Sequence, residues 1–201
     1  MTASEKQMIR RRAHAARAAQ PDRDAVSRRI LRQVTKLPEY QAAHTVLFYV
    51  DIRDEVRTRF MVRHVLTAES KVVVVPWCAG RRLKLFRLTD WAQLEPGYFD
   101  VLEPKAGLRG EARHMVAPRD IDTALIPGVA FDPTGARIGH GHGFYDRLLA
   151  EFPLSTALIG LAYECQVFPP FAMESHDVGM DRVVTESRVY VGLGRSDRSA
   201  R

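Results

Sequence analysis

Four short runs of β-branched and aliphatic residues constrain this chain more than any other feature of its sequence. Thr45–Val50, Val72–Val75, Thr123–Ile126 and Ala157–Leu161 are almost continuously apolar, with no polar alternation. A strand with one face in water alternates polar and apolar residues, whereas a strand covered on both faces does not. These four therefore read as buried strands of a sheet with cover above and below. The intervening segments carry helical signals. Residues 4–19 are rich in Ala, Arg, Gln and Met and end before Pro21. Asp22 and Asp24 open a second helix in which Val26, Ile30, Val34 and Leu37 share a face. Two more helices are expected, from about Asp54 to Glu69 and over Phe144–Glu151.

Strands alternating with helices define an α/β sheet. Arg82–Leu88 alternates, which suits an edge or antiparallel strand, and Pro76 is expected to stop the strand before it. Val183-Val184 and Val189–Val191 make a short terminal pair. Residues 1–193 are expected to form a single domain, with residues 194–201 a disordered tail. In such sheets ligands lie beyond the carboxyl ends of the strands, so the places to search follow Val50, Ile126 and Leu161.

Charge is distributed unevenly. Residues 1–36 hold ten Lys or Arg against three acids, a local +7, while the whole chain balances at +6. A basic helical arm on a near-neutral body can serve a phosphate-bearing ligand, a nucleic acid or an anionic membrane, or simply be a solvated face. The arm contains no aromatic residue, which argues against nucleic acid. No apolar run approaches a membrane span, and the amino-terminal residues lack the apolar core of a secretory signal. Cys78 and Cys165 read as buried free thiols, and a cytoplasmic location is expected.

The strongest local signal is Gly139-His140-Gly141-His142-Gly143-Phe144-Tyr145-Asp146. Alternate glycines allow close backbone approach and positive φ, and a helix follows at once. That combination suits phosphate, although a glycine-rich turn after Asp132-Pro133-Thr134-Gly135 is the plainer reading. It is neither the dinucleotide fingerprint nor a Walker loop. His140 and His142 invite zinc, but a third ligand is lacking unless His176 supplies it. Asp146, in the first helical turn, could stabilise that helix or hold Mg²⁺ beside a phosphate. Asp177 or Asp181 could add a second oxygen ligand. Glu55, after the first strand, could accept hydrogen bonds from a heterocycle or merely begin a helix.

Several further segments accompany that loop in fixed order: the Lys6 and Arg10 spacing, Phe48–Thr58, Val75-Pro76, Glu103-Pro104, Leu125–Asp132, Ile159–Ala162 and His176–Asp181. Together they resemble the 5-formyltetrahydrofolate cyclo-ligase family over roughly residues 6–186. The resemblance implies a three-layer Rossmann-like fold with helices on both faces of the sheet. It implies that ATP and Mg²⁺ drive conversion of 5-formyltetrahydrofolate to 5,10-methenyltetrahydrofolate, with ADP and phosphate released. By position, Lys6, Arg10, Arg137, Ile138, Gly139, His140, Gly141, His142, Gly143, Phe144 and Tyr145 would bind ATP. Glu55 would bind the folate, with His140–Phe144 touching it as well, and Asp146 and Asp177 would hold Mg²⁺. No nucleic-acid or membrane partner is implied, and the chain is expected to be a monomer or weak dimer. The loop departs from the family's usual residues at His140, His142 and Phe144. The second reading is therefore a nucleotide- or folate-binding relative with altered or lost activity.

Overall fold

The computed structural model describes residues 1–97 and 101–195. Helix α1 (Ala3–Ala18) starts from a Thr2–Glu5 capping box, and α2 (Arg23–Val34) and α3 (Pro38–Ala42) follow. Strand β1 (Thr45–Leu47) leads through a loop to α4 (Arg59–Ala68), then to β2 (Val72–Ala79) and β3 (Arg82–Leu88). A two-stranded ribbon, β4 (Leu94–Pro96) and β5 (Leu102–Pro104), precedes β6 (Met115–Val116) and β7 (Thr123–Ile126). A second ribbon, β8 (Ala130–Phe131) with β9 (Arg137–Ile138), leads to α5 (Phe144–Leu149). The chain ends through β10 (Ala157–Leu161), β11 (Arg182–Val184) and β12 (Val189–Val191).

Eight of these strands form one sheet in the order β12-β11-β10-β7-β1-β2-β3-β6. The central five are parallel, and β3, β6 and β12 are antiparallel additions. All four apolar runs lie in the parallel core, as their lack of alternation requires. One face packs Val46, Val73 and Leu125 against Ile30 of α2 and Val62 and Val65 of α4. The other packs Leu47, Val74 and Ala124 against Leu148 and Leu149 of α5. A smaller cluster seats Ala13 of α1 on Val129, Ala130 and Ile138.

Three expectations need correction. Pro76 does not end β2. Val72 N donates to His44 O and Val74 O accepts from Phe48 N, so even-numbered residues of β2 face β1. β1 has already ended when Pro76 is reached, so its missing N–H costs no ladder bond and pairing with β3 continues to Ala79. Helix α4 begins at Arg59 rather than near Asp54, because the Asp51 carboxylate accepts from Thr58 N at 2.8 Å and Arg59 N at 2.9 Å and fixes the start there. Neither cysteine is buried as expected: Cys78 is half-buried, and Cys165 is exposed, carried to the surface by a short helical turn opposite Gln20.

β3 is antiparallel, but β6 covers it at Leu85 and Phe86, so it is not a bare edge. Arg195 is tied down by bonds from its guanidinium to Phe152 O at 2.9 Å and Thr156 O at 2.5 Å; residues 196–201 lie outside the described residues. Among the described residues no helix is long and apolar enough to cross a membrane.

Candidate active site

The chain leaves β1 for β2 on one side of the sheet and later places β7 on the other side of β1. Connections diverge there and open a crevice at the carboxyl ends of the strands. A cleft of about 1250 Å³, open solvent at its mouth included, occupies that position. Its walls come from the loop after β1, the outer half of β2, the turn after β7 and the glycine-rich loop before α5. Two of the three places picked by the strand-end rule therefore meet in one cavity. The third, after Leu161, lies beneath it: the buried Tyr163 hydroxyl donates to Glu55 O at 3.1 Å and contacts Ser27 Oγ at 3.2 Å.

The loop after β1 is fixed from within. Asp51 is buried and, besides the helix start, takes Arg57 Nη1 at 3.3 Å, while its carbonyl accepts from Arg59 Nη2 at 2.6 Å. Thr58 Oγ1 donates to Tyr49 O at 2.6 Å. Glu55 is thereby held in the cleft wall, its side chain only 8% exposed. One carboxylate oxygen accepts from Ile52 N at 3.2 Å, and the other lies 3.7 Å from His140 Nε2. The pair joins two segments 85 positions apart whose association the resemblance implied. His140 also sits against His14 of α1, ring centroids 5.4 Å apart.

The glycine loop needs its glycines at Gly141 and Gly143, where φ is 97° and 65°. Helix α5 behind it has only six residues, so backbone N–H groups matter here more than a long helix dipole. Arg147 braces the loop, donating to His142 O at 3.0 Å and to Arg81 O at 2.8 Å. Arg137, only 5% exposed, pairs with Asp146, and its Nε atom has no partner. The Tyr145 hydroxyl is pushed well up, by burial first and the Glu55 charge second, and stays a neutral donor.

Helix α1 lays a stripe of cations beside this loop. Arg10 Nε donates to Gly139 O at 2.9 Å. Lys6 Nζ meets Glu174 at 2.6 Å and Asp177 at 3.1 Å. Burial alone would lower the Lys6 pKa, but these two carboxylates outweigh it and raise it. Lys6, Arg10 and Asp177 stand beside the cleft rather than in its lining, and Ile138 turns into the small core against Ala13. Among the described residues no three side chains of His, Cys, Asp or Glu cluster as a zinc cage would need.

One wall of the cleft is set by long-range placement alone. Pro76, Trp77 and Cys78 extend β2 past β1, and Glu103, 3% exposed, fills the vacated side by accepting from Cys78 N at 2.8 Å. Burial and then Glu103 push the Cys78 thiol up to about 11, so it is no nucleophile at neutral pH. A carboxylate in the Glu103-Pro104 pair is the available signal, but only the fold says what it faces.

These features define an α/β protein with a largely apolar cleft at a topological switch point, into whose walls a glycine-rich loop and a few charged side chains are set. The chain belongs to the 5-formyltetrahydrofolate cyclo-ligase family, whose sequence model matches residues 2–186. It is 30% identical over 184 residues to a probable 5-formyltetrahydrofolate cyclo-ligase of Schizosaccharomyces pombe, covering 83% of this chain and 86% of that one. It is 31% identical over 157 residues to the Escherichia coli K12 enzyme of that name, covering 76% and 84%. Among solved structures, the 5,10-methenyltetrahydrofolate synthetase of Aquifex aeolicus superposes with a TM-score of 0.81 at 32% identity, covering 95% of each chain.

Proposed function

We propose that this ligase uses ATP and Mg²⁺ to convert 5-formyltetrahydrofolate to 5,10-methenyltetrahydrofolate, releasing ADP and phosphate in the cytoplasm. The formyl oxygen is a poor leaving group until phosphorylated. Transfer of the γ-phosphoryl group to it, attack by N10 on the activated carbon and loss of phosphate close the ring. The observation that carries this reading is the meeting of Glu55 with the glycine loop in one cleft. Glu55 accepts hydrogen bonds from the pterin, while the backbone of Gly139–Gly143, with His140, His142, Phe144 and Tyr145, lines the path of the phosphates. Arg137 and Ile138 set the base of that loop.

Two carboxylate–cation pairs support the co-substrate. Lys6–Asp177 and Arg137–Asp146 each hold a cation suited to phosphate against an acid suited to a metal ion. A metal–triphosphate brings both complementary charges and can replace both pairings. Mg²⁺ needs only one or two carboxylates when phosphates complete its shell, so Asp146 and Asp177 fit it. When bound, the ion neutralises charge developing on the phosphoryl oxygens. The chain's own part is positioning: Arg10 and Arg137 fix the loop, and Glu55 orients the folate. Phosphate release measured against ATP consumption tests this directly, with one phosphate per ATP expected only when 5-formyltetrahydrofolate is present. Equal release without the folate would make the protein a plain ATPase instead.

A further inference from the structure

Charged side chains in the cleft wall are engaged almost everywhere. Glu55 faces His140, Arg137 faces Asp146, and Glu103 takes Cys78 N and Arg109. Among the described residues lining the cleft, Arg53 is the one carrying a full charge with neither a hydrogen bond nor an ion pair. It is exposed and lies two residues before Glu55.

Its backbone is as unusual as its freedom. Arg53 sits at φ 50°, in the left-handed region that disfavours any residue with a Cβ. The turn that holds it is closed by Glu55 N donating to Ile52 O at 3.0 Å and Ile52 N donating to the Glu55 carboxylate at 3.2 Å. Arg17 clamps the next residue, Asp54, at 2.8 Å. Glycine, asparagine or aspartate would relieve the strain at this turn position. The turn is held from both sides two residues before Glu55, and it presents an arginine with its guanidinium unspent at the cleft, free to meet an anion.

We propose that Arg53 is a substrate-binding residue whose guanidinium takes an oxyanion of a bound substrate at the cleft mouth. The oxyanion is either a phosphate of the nucleotide or a carboxylate of the folate's glutamyl tail. The identity of these substrates rests on the function proposed above. A planar, bidentate donor serves both groups.

The test compares wild type with Arg53→Gly and Arg53→Lys in steady-state kinetics and thermal unfolding. Glycine accepts φ 50° freely, so Arg53→Gly should melt at or above the wild-type temperature. One KM should nevertheless rise at least about tenfold, the loss expected for one charged hydrogen-bonding contact. A rise in the KM for ATP assigns the phosphate; a rise for the folate, larger with polyglutamylated substrate, assigns the tail carboxylate. Arg53→Lys should recover part of the loss and keeps a Cβ should the glycine variant fail to fold. Both KM values within about twofold of wild type in both variants would overturn the assignment. If wild type itself shows no turnover, the proposed reaction fails, and equilibrium binding of ATP and of 5-formyltetrahydrofolate then decides Arg53 by the same tenfold criterion.

Discussion

The guanidinium of Arg17 meets the carboxylate of Asp54 at 2.8 Å with Arg17 only 2% exposed. The same side chain donates to Gly128 O at 3.3 Å, so one residue of α1 joins two walls of the cleft. Arg17→Met should cost about 2–3 kcal/mol by denaturant unfolding, toward the low side for a broken buried pair because Asp54 keeps some solvent. Burial would raise the Asp54 pKa, but the Arg17 bond and charge outweigh it and lower it. A lowered carboxylate contributes stability above its ordinary value of 3.8 and loses it as pH falls through the folded value. The gap between wild type and Asp54→Asn should therefore close in acid and nowhere else.

Gly141 and Gly143 offer a sharper test of the loop. Alanine at either would force a left-handed residue, at a cost of about 1–2 kcal/mol. At Gly143 the new Cβ would also lie 2.8 Å from Arg147 Nη1, the group that braces the loop. Calorimetric titration with ATP should show weakened binding for both variants, with a far-ultraviolet spectrum like wild type.

Much of the fold and of the cleft is legible in the residues alone. The apolar runs point to the parallel core, and the rule of strand ends leads to Glu55 and to the turn after Ile126, because strand burial and crevice position both follow from alternation and topology. Pro76 misleads because a proline reads as a stop unless it is known which neighbouring strand has already ended. Asp51 misleads for a similar reason: its carboxylate caps a helix eight residues away, a distance that no local capping rule covers. Glu103 and Arg53 depend on long-range placement and on a backbone angle, which residue type does not encode.

The position of α1 fixes where it can be cut. Ala13 and Arg17 are buried, whereas residues before them are mostly exposed, with Lys6 and Arg10 reaching toward Asp177 and Gly139. Deleting residues 1–12 should leave a folded protein whose ATP affinity falls roughly 10- to 100-fold, as the loss of charged phosphate contacts implies. Unchanged affinity would remove Lys6 and Arg10 from the nucleotide site.

His14 makes stability respond to mild acid. Burial first, then the charges of Arg17 and His140, lower its pKa below 6.5, with Asp54 opposing and Arg53 adding. The unfolded chain then takes a proton before the folded one, so stability should fall as pH drops below 6.5 and level off beneath the folded value. Thermal melts of His14→Gln across that range should show a shallower decline than wild type.

The most direct measurement is the near-ultraviolet absorbance of the methenyl product after mixing protein, ATP, Mg²⁺ and 5-formyltetrahydrofolate. Absorbance should rise only when both ATP and Mg²⁺ are present, and the rise should disappear in folded Asp146→Asn. No rise from folded wild-type protein that still binds ATP would overturn the proposed reaction, and would leave a family member whose glycine-rich loop, with His140 and His142, serves another one.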